Sequence, residues 1–364
     1  MRVLLAFICG LSSGSSLVAR PPAPPVVILG GFGNADVDYK TPFNQPEEQG
    51  LVAALARRDV EATVMPLPRY DWLRVAGGLV DPLFWQCRQQ PEGRAYGWYV
   101  RRARETIVET SKRNGGARVM VVGHSAGGWL ARAVLGDGTW ELEPPVPADS
   151  AEAAAAAPKE VVKAGDVVCG LVTLGAPHFP PPEDSPQPCA TRGALAYCDK
   201  TYAGAHLLES EGIKYVTVAG AAITGSSAKP EDGDGAAASA FDPTLPAREL
   251  LTNGGDGGGD GGGGGGGQKT DADALYAKRG EGSAARVAYT NYLALGGEGE
   301  GVVGDGVIPV SCAHLQGEGV EQITLEGVLH SINEAGTALP TERWYGSEKV
   351  LDRWWQPALE KVGC

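Results

Sequence analysis

Six short, largely apolar runs recur along the chain, and stretches with helical spacing lie between them. The first is Val26-Val27-Ile28-Leu29, stopped by Gly30-Gly31. Comparable runs follow at 60–65, 119–122, 167–174, 213–219 and 323–325. Runs this short and this apolar belong to strands buried on both faces. Helical spacing is read over 46–58, with Leu51, Ala54 and Leu55 on one face, and over 94–113, 127–135 and 347–360. Strands that alternate with helices in this way predict an α/β fold, a mostly parallel sheet flanked by helices.

Three segments fall outside that alternation. Residues 1–25 hold no acid, carry Ser12, Ser13, Ser15 and Ser16, and end in Pro21, Pro22, Pro24 and Pro25. They read as a targeting peptide, of the transit or the secretory kind. Residues 144–160 are Ala- and Pro-rich, and 225–272 contain the nearly pure glycine run 254–267. Both read as disordered loop insertions within one domain spanning 26–361. A phosphate-cradling loop in the glycine run is disfavoured by Asp256 and Asp260. The net charge of −13 disfavours nucleic-acid binding as the main task. No apolar run reaches the roughly 18 residues of a membrane span. Seven cysteines form no CxxC pair, so zinc and thioredoxin-like readings lack support. Cys189 and Cys198 are spaced to bridge a loop, but spacing alone leaves the bridge open.

Gly123-His124-Ser125-Ala126-Gly127 matches GxSxG. In a chain with 53 glycines the match gains weight only from its setting. It follows the apolar run 119–122 and opens a helical stretch, the strand–turn–helix that a nucleophile elbow requires. Small residues at 123, 126, 127 and 128 suit a tight turn, and Ser125 carries the nucleophile.

A serine hydroxyl needs a base to take its proton and a third group to hold that base. On this type of scaffold the partners follow in the order Ser, acid, His. Of five histidines, His330 follows the last predicted strand and satisfies that order. Asp305, in Gly304-Asp305-Gly306-Val307-Ile308-Pro309, is the acid, its flanking glycines letting the backbone turn; Asp71 and Asp242 are the alternatives. His178 follows Leu174-Gly175-Ala176-Pro177 at a strand end, and together with Gly31 and His124 it is a candidate lining of the substrate pocket. Two backbone N–H groups should stabilise an oxyanion. Ala126, directly after the nucleophile, supplies one, and Phe32, in the glycine-rich loop after the first strand, the other. The Phe32 ring suits either an acyl pocket or simple packing.

With these residues in place the chain resembles α/β-hydrolase lipases. The resemblance rests on Gly-His-Ser-Ala-Gly-Gly, on the Gly-Asp-Gly-Val-Ile-Pro run with His314-Leu315, and on His330-Ser331. More narrowly it resembles the GPI-inositol-deacylase-like hydrolases of plant and algal plastids, through Tyr70-Asp71-Trp72-Leu73-Arg74, Leu79-Val80-Asp81-Pro82 and Trp344-Tyr345-Gly346. The resemblance implies a serine esterase or lipase acting on an acyl ester of a lipid or lipid-like substrate, without metal or organic cofactor. It also implies a chloroplast location, with the secretory pathway as the alternative, and leaves room for peripheral contact with a membrane. Two other readings use the same site: a ligand receptor with little turnover, and a thioesterase or acyltransferase.

Overall fold

The computed structural model describes residues 23–42, 46–143, 159–183, 185, 189–228, 271–331 (271–283 as helical backbone) and 342–363. Its centre is a sheet of β1 (Val26–Leu29), β2 (Ala62–Val64), β3 (Val119–His124), β4 (Val168–Leu174), β5 (Lys214–Ala221) and β6 (Val320–Glu326). All neighbours are parallel, in the spatial order β6-β5-β4-β3-β1-β2. The principal helices are α1 (Leu51–Ala56), α2 (Gly97–Arg113), α3 (Ala126–Leu135), α4 (Ala194–Thr201), α5 (Asp271–Gly296) and α6 (Glu348–Val362).

The sheet divides the core in two, because successive side chains on a strand point to opposite faces. Val27, Leu29, Val119, Val121 and Leu171 pack with residues of α2 and α3. Val26, Ile28, Met120, Val122, Val172 and Val216 pack with residues of α1 and α6. On α6 the buried Val350, Leu351, Trp354, Trp355 and Ala358 repeat with helical period and lay one stripe against the sheet. Burying a side chain such as Leu351 contributes about 1.5–3 kcal/mol. The predicted mostly parallel sheet between helices is therefore the observed one.

The chain runs from β1 outward to β2, then returns to place β3 on the other side of β1. Strand order reverses there, and in open α/β sheets ligands bind in the crevice beyond the carboxyl ends of the strands at such a point.

Several expectations are refined. The helix read over 46–58 is a 3-10 turn, Glu47–Gln49, followed by α1. Gly50 joins them, and a Cβ on it would lie 2.1 Å from the Lys40 carbonyl oxygen. The long α5 was not anticipated. Two antiparallel ribbons, Thr139–Leu142 with Glu160–Lys163 and Ile223–Thr224 with Val303–Gly304, flank the low-complexity stretches. Glu160 is thus part of a ribbon, not of an insertion. Residues 225 and 226 are likewise tied down, Gly225 N to Val302 O (2.8 Å) and Ser226 N to Ala285 O (3.0 Å). Most of both insertions and of the targeting segment lies outside the described residues. Cys189 and Cys198 are free thiols, so no bridge links them; Cys189 pairs with the Thr191 hydroxyl, and Cys198 is buried in the core.

Candidate active site

Ser125 stands between the end of β3 and the start of α3 with φ 54° and ψ −129°. A residue with a side chain adopts such a backbone only at a cost, of order 1–3 kcal/mol, and only where its surroundings enforce it. Here the enforcement comes from both sides. Ser125 N–H donates to the Leu174 carbonyl of the neighbouring strand (3.0 Å), and its own carbonyl accepts from Gly128 N–H (2.9 Å). The flanking glycines allow the close approach: a Cβ on Gly123 would lie 2.6 Å from Gly128 Cα, and one on Gly127 2.2 Å from the Leu29 carbonyl oxygen. The loop after β1 reaches the same point. A Cβ on Gly31 would lie 2.5 Å from Ser125 Cβ and 3.1 Å from Ser125 Oγ. Phe32 follows, with its ring packed on Trp72 at 4.9 Å between centroids.

Asp305 lies beyond the ends of β4 and β5, 1% exposed. Four hydrogen bonds saturate its carboxylate. Oδ1 accepts from Val307 N–H (3.0 Å) and Ile308 N–H (2.7 Å), and Oδ2 from His330 Nδ1 (2.8 Å) and the Tyr345 hydroxyl (2.9 Å). The His330 backbone N–H also donates to the Asp305 carbonyl (3.0 Å), so the pair is held through main chain and side chain together. Gly306 adopts φ 97°, which turns the backbone back over the carboxylate. The turn is fixed from α5: Asn291 Nδ2 donates to Gly306 O (2.9 Å), and Gly306 N–H donates to the Tyr292 hydroxyl (2.9 Å). Space for the acid is made on β5, where a Cβ on Gly220 would lie 2.9 Å from Asp305 Cβ.

His124 ties the elbow to the loop that carries His330. Its Nε2 lies 2.8 Å from the His330 carbonyl oxygen, and its ring centroid 4.9 Å from that of His330. A carbonyl only accepts, so Nε2 carries the proton and Nδ1 is the acceptor. Tyr39 OH therefore donates to Nδ1 (2.9 Å), while its oxygen accepts from Gly31 N–H (3.2 Å) and Asn34 Nδ2 (3.3 Å). Burial, helped by repulsion from His330, pushes the His124 ring down to about 3, which keeps it neutral.

The other histidines are engaged elsewhere. His178 is fully buried, its Nε2 paired with Thr173 Oγ1 (3.0 Å). Burial, with the Arg132 charge beside it, holds it well below the usual histidine range. His314 bridges Thr217 (3.0 Å) and Thr324 (2.8 Å), and His206 pairs with Gly136 O (2.8 Å). Among the described histidines only His330 meets a carboxylate. Asp71 is taken by Arg74 and Arg102; burial alone would raise its carboxyl, but those two guanidinium groups hold it below the ordinary range. Asp242 lies outside the described residues.

The structure thus brings Ser125, Gly31, Ala126 and His124 together at the end of β3, and joins Asp305 to His330, which meets His124. His178 is fully buried against Thr173 of β4. Sequence reasoning missed Tyr39, Tyr345, Asn291 and Tyr292. Only Tyr345 carried a signal, its place in Trp344-Tyr345-Gly346 shortly after His330.

A strand–Ser–helix elbow at the switch point of a parallel sheet, with an acid and a histidine following in chain order beyond later strands, is diagnostic. This is an α/β-hydrolase fold. No protein-family model matches the chain, and no curated protein matches its sequence. Solved structures it is similar to include a Bacillus licheniformis lipase in its mature form, at 12% identity and TM-score 0.45, covering 93% of each chain. The propeptide form of that lipase gives 12% identity and TM-score 0.43 over 93% of this chain, which spans 51% of that longer one. Lipase 1 from Pelosinus fermentans gives 10% identity and TM-score 0.39 over 94% of this chain and 99% of that one. At these values the likeness adds nothing to the sheet topology. Among the described residues no group of three or more potential ligands is placed to hold a metal ion, and no helix is long and apolar enough to cross a membrane.

Proposed function

We propose that the chain is a serine carboxylic-ester hydrolase acting on acyl esters of lipid or lipid-like substrates. Ser125 Oγ attacks the ester carbonyl while His330 Nε2 takes its proton. Asp305 holds the opposite ring nitrogen and stabilises the imidazolium that forms. The N–H groups of Phe32 and Ala126 receive the negative charge that develops on the carbonyl oxygen. His330 then returns the proton to the leaving alcohol, and an acyl-Ser125 intermediate remains. Water activated by the same histidine releases the acid.

The single observation that carries this reading is the Asp305 Oδ2 to His330 Nδ1 contact of 2.8 Å. It fixes the tautomer that leaves Nε2 free to act as a base. The narrower resemblance to plastid GPI-inositol-deacylase-like hydrolases belongs to the same proposal, as does a plastid location. The test is turnover on p-nitrophenyl esters of graded chain length, galactolipids, phospholipids and acyl-CoA. Ester hydrolysis is expected, falling about 10³–10⁴-fold in Asp305→Asn and His330→Ala. A folded protein that turns over none of these esters would defeat the reading.

A further inference from the structure

Eight large apolar side chains stand exposed among the described residues, and they are not scattered. Five lie within residues 70–85: Tyr70 (63%), Leu73 (51%), Leu79 (49%), Val80 (72%) and Trp85 (62%). They occupy a 3-10 run, Arg69–Val80, and the helical turn that follows it, Pro82–Trp85.

This segment is firmly seated, so its exposed side chains are not the sign of a frayed end. Trp72 is buried beneath it and donates from Nε1 to the Asn34 carbonyl (2.9 Å). Trp85 donates to the Leu79 carbonyl (2.8 Å) across the two short elements. Gly78 lies so close to Phe84 that a Cβ there would stand 2.5 Å from the ring. Through Trp72 and Phe32 the segment abuts the loop that touches Ser125.

Its charge differs from that of the rest of the chain. The segment 69–88 holds three arginines and two acids, and with the start of α2 that follows, residues 69–104 hold seven arginines and three acids, a local net charge of +4 in a chain of −13; Arg69 is paired with Asp38. The three acids are all engaged within the protein. Asp71 binds Arg74 and Arg102, Asp81 accepts from Leu83 N–H, and Glu92 pairs with Arg104. Arg88, Arg94 and Arg101 are exposed.

We propose that the 69–88 segment, with Arg94 against it at Gly77, is a docking surface for an anionic lipid layer. Tyr and Trp place an apolar ring body in the acyl boundary and a polar tip at headgroup level, and aliphatic side chains beside them add apolar area. Arginines near the surface draw a negative leaflet against the repulsion of an otherwise acidic protein. Docking in this orientation presents the loop after β1, and so the Ser125 crevice, to the layer. Only that last step rests on the hydrolase reading; the docking itself does not.

The test uses the full chain and large unilamellar vesicles of ether-linked lipids, which contain no ester to cleave. Vesicles of ether phosphatidylcholine are compared with vesicles holding about 30% ether phosphatidylglycerol. Sedimentation should show binding to the anionic vesicles, weakened by salt, and little binding to the neutral ones. Leu73→Ser/Val80→Ser/Trp85→Ser should lower partitioning by about tenfold or more. Arg88→Gln/Arg94→Gln should lower it on the order of fivefold per charge. Hydrolysis of a water-soluble short-chain ester should stay unchanged in both variants. Equal binding to both vesicle types, or unchanged binding by the triple variant, would overturn the proposal. So would a triple variant that dissociates a dimer of the parent protein, since the patch would then join two copies of this chain. If the parent binds anionic vesicles but hydrolyses no ester, the hydrolase reading fails and the docking surface stands.

Discussion

Alanine at position 31 puts a methyl group where the structure has no room for one. Its Cβ would lie 2.5 Å from Ser125 Cβ, 3.0 Å from the His124 carbonyl oxygen and 3.1 Å from Ser125 Oγ. Carbon atoms in contact sit at roughly 3.5–4.0 Å, so the loop after β1 must retreat from Ser125 by about 1 Å. Gly31 is not among the residues with positive φ, so the backbone itself tolerates alanine and the clash is the whole effect. In the proposed mechanism a retreat of that size would withdraw the Phe32 N–H from the carbonyl oxygen of the ester. Misplacement by 1 Å costs about 10²-fold, and complete loss of an oxyanion donor about 10²–10³-fold. Gly31→Ala should therefore lower kcat about 10²–10³-fold on a soluble p-nitrophenyl ester and leave KM nearly unchanged, at a stability cost of about 1–3 kcal/mol. Gly30→Ala is the control. Its nearest neighbours would be Tyr39 Cε2 at 3.2 Å, Leu67 Cδ2 at 3.4 Å and the Tyr39 hydroxyl at 3.5 Å, so a far smaller shift than that required at position 31 relieves the contact and leaves the Tyr39 hydrogen bonds in place. Its kcat should stay within about threefold of the parent. Equal kcat in Gly31→Ala and the parent, or equal damage from both substitutions, would refute the reasoning.

Tyr345→Phe removes a hydroxyl that accepts from Gly220 N–H (2.7 Å) and donates to Asp305 (2.9 Å). Urea unfolding should show a loss of about 2–4 kcal/mol, because a buried N–H and a carboxylate each lose a partner. Asn291→Ala frees the Gly306 carbonyl from α5 and should reduce kcat about tenfold without unfolding the protein, as measured by circular dichroism beside turnover. His124 sits at about 3 in the folded protein, against about 6.5 in the unfolded chain, so below neutrality the unfolded state takes the proton first. The stability this contributes is complete above pH 6.5 and is lost as pH falls toward 3, about 2 kcal/mol of it by pH 5. Urea midpoints at pH 7 and pH 5 should therefore differ less in His124→Gln than in the parent; an identical difference would contradict the buried neutral state.

What the sequence made legible was local. Val26–Leu29 and Val168–Leu174 announce themselves because strands buried on both faces need no polar residue. The elbow was legible because its geometry tolerates only small neighbours, and Gly123, Gly127 and Gly128 fall within six consecutive residues around Ser125. His330 and Asp305 were reached through chain order and an Asp-Gly turn, and they do meet. The supporting groups were hidden because they act at a distance. Tyr39 meets His124 across 85 positions and Tyr345 meets Asp305 across 40, separations that leave no periodicity to read. Helix α5 was obscured by composition: it follows the glycine run, contains Gly280, Gly282 and Gly296, and is held by Asn291 and Tyr292 at its far end. His178 and His314 show the converse, since both follow strand-end or Pro-containing signals yet are spent on Thr173 and Thr217 inside the fold.

The most direct test of an activated Ser125 is covalent. Purified protein treated with a fluorophosphonate should gain the mass of one adduct, and peptide mapping should place it on Ser125. Ser125→Ala, unfolding at the same urea concentration as the parent, should gain none and should lose ester turnover by about 10⁴-fold or more. An adduct that persists in Ser125→Ala, or ester turnover that survives the substitution, would contradict the account.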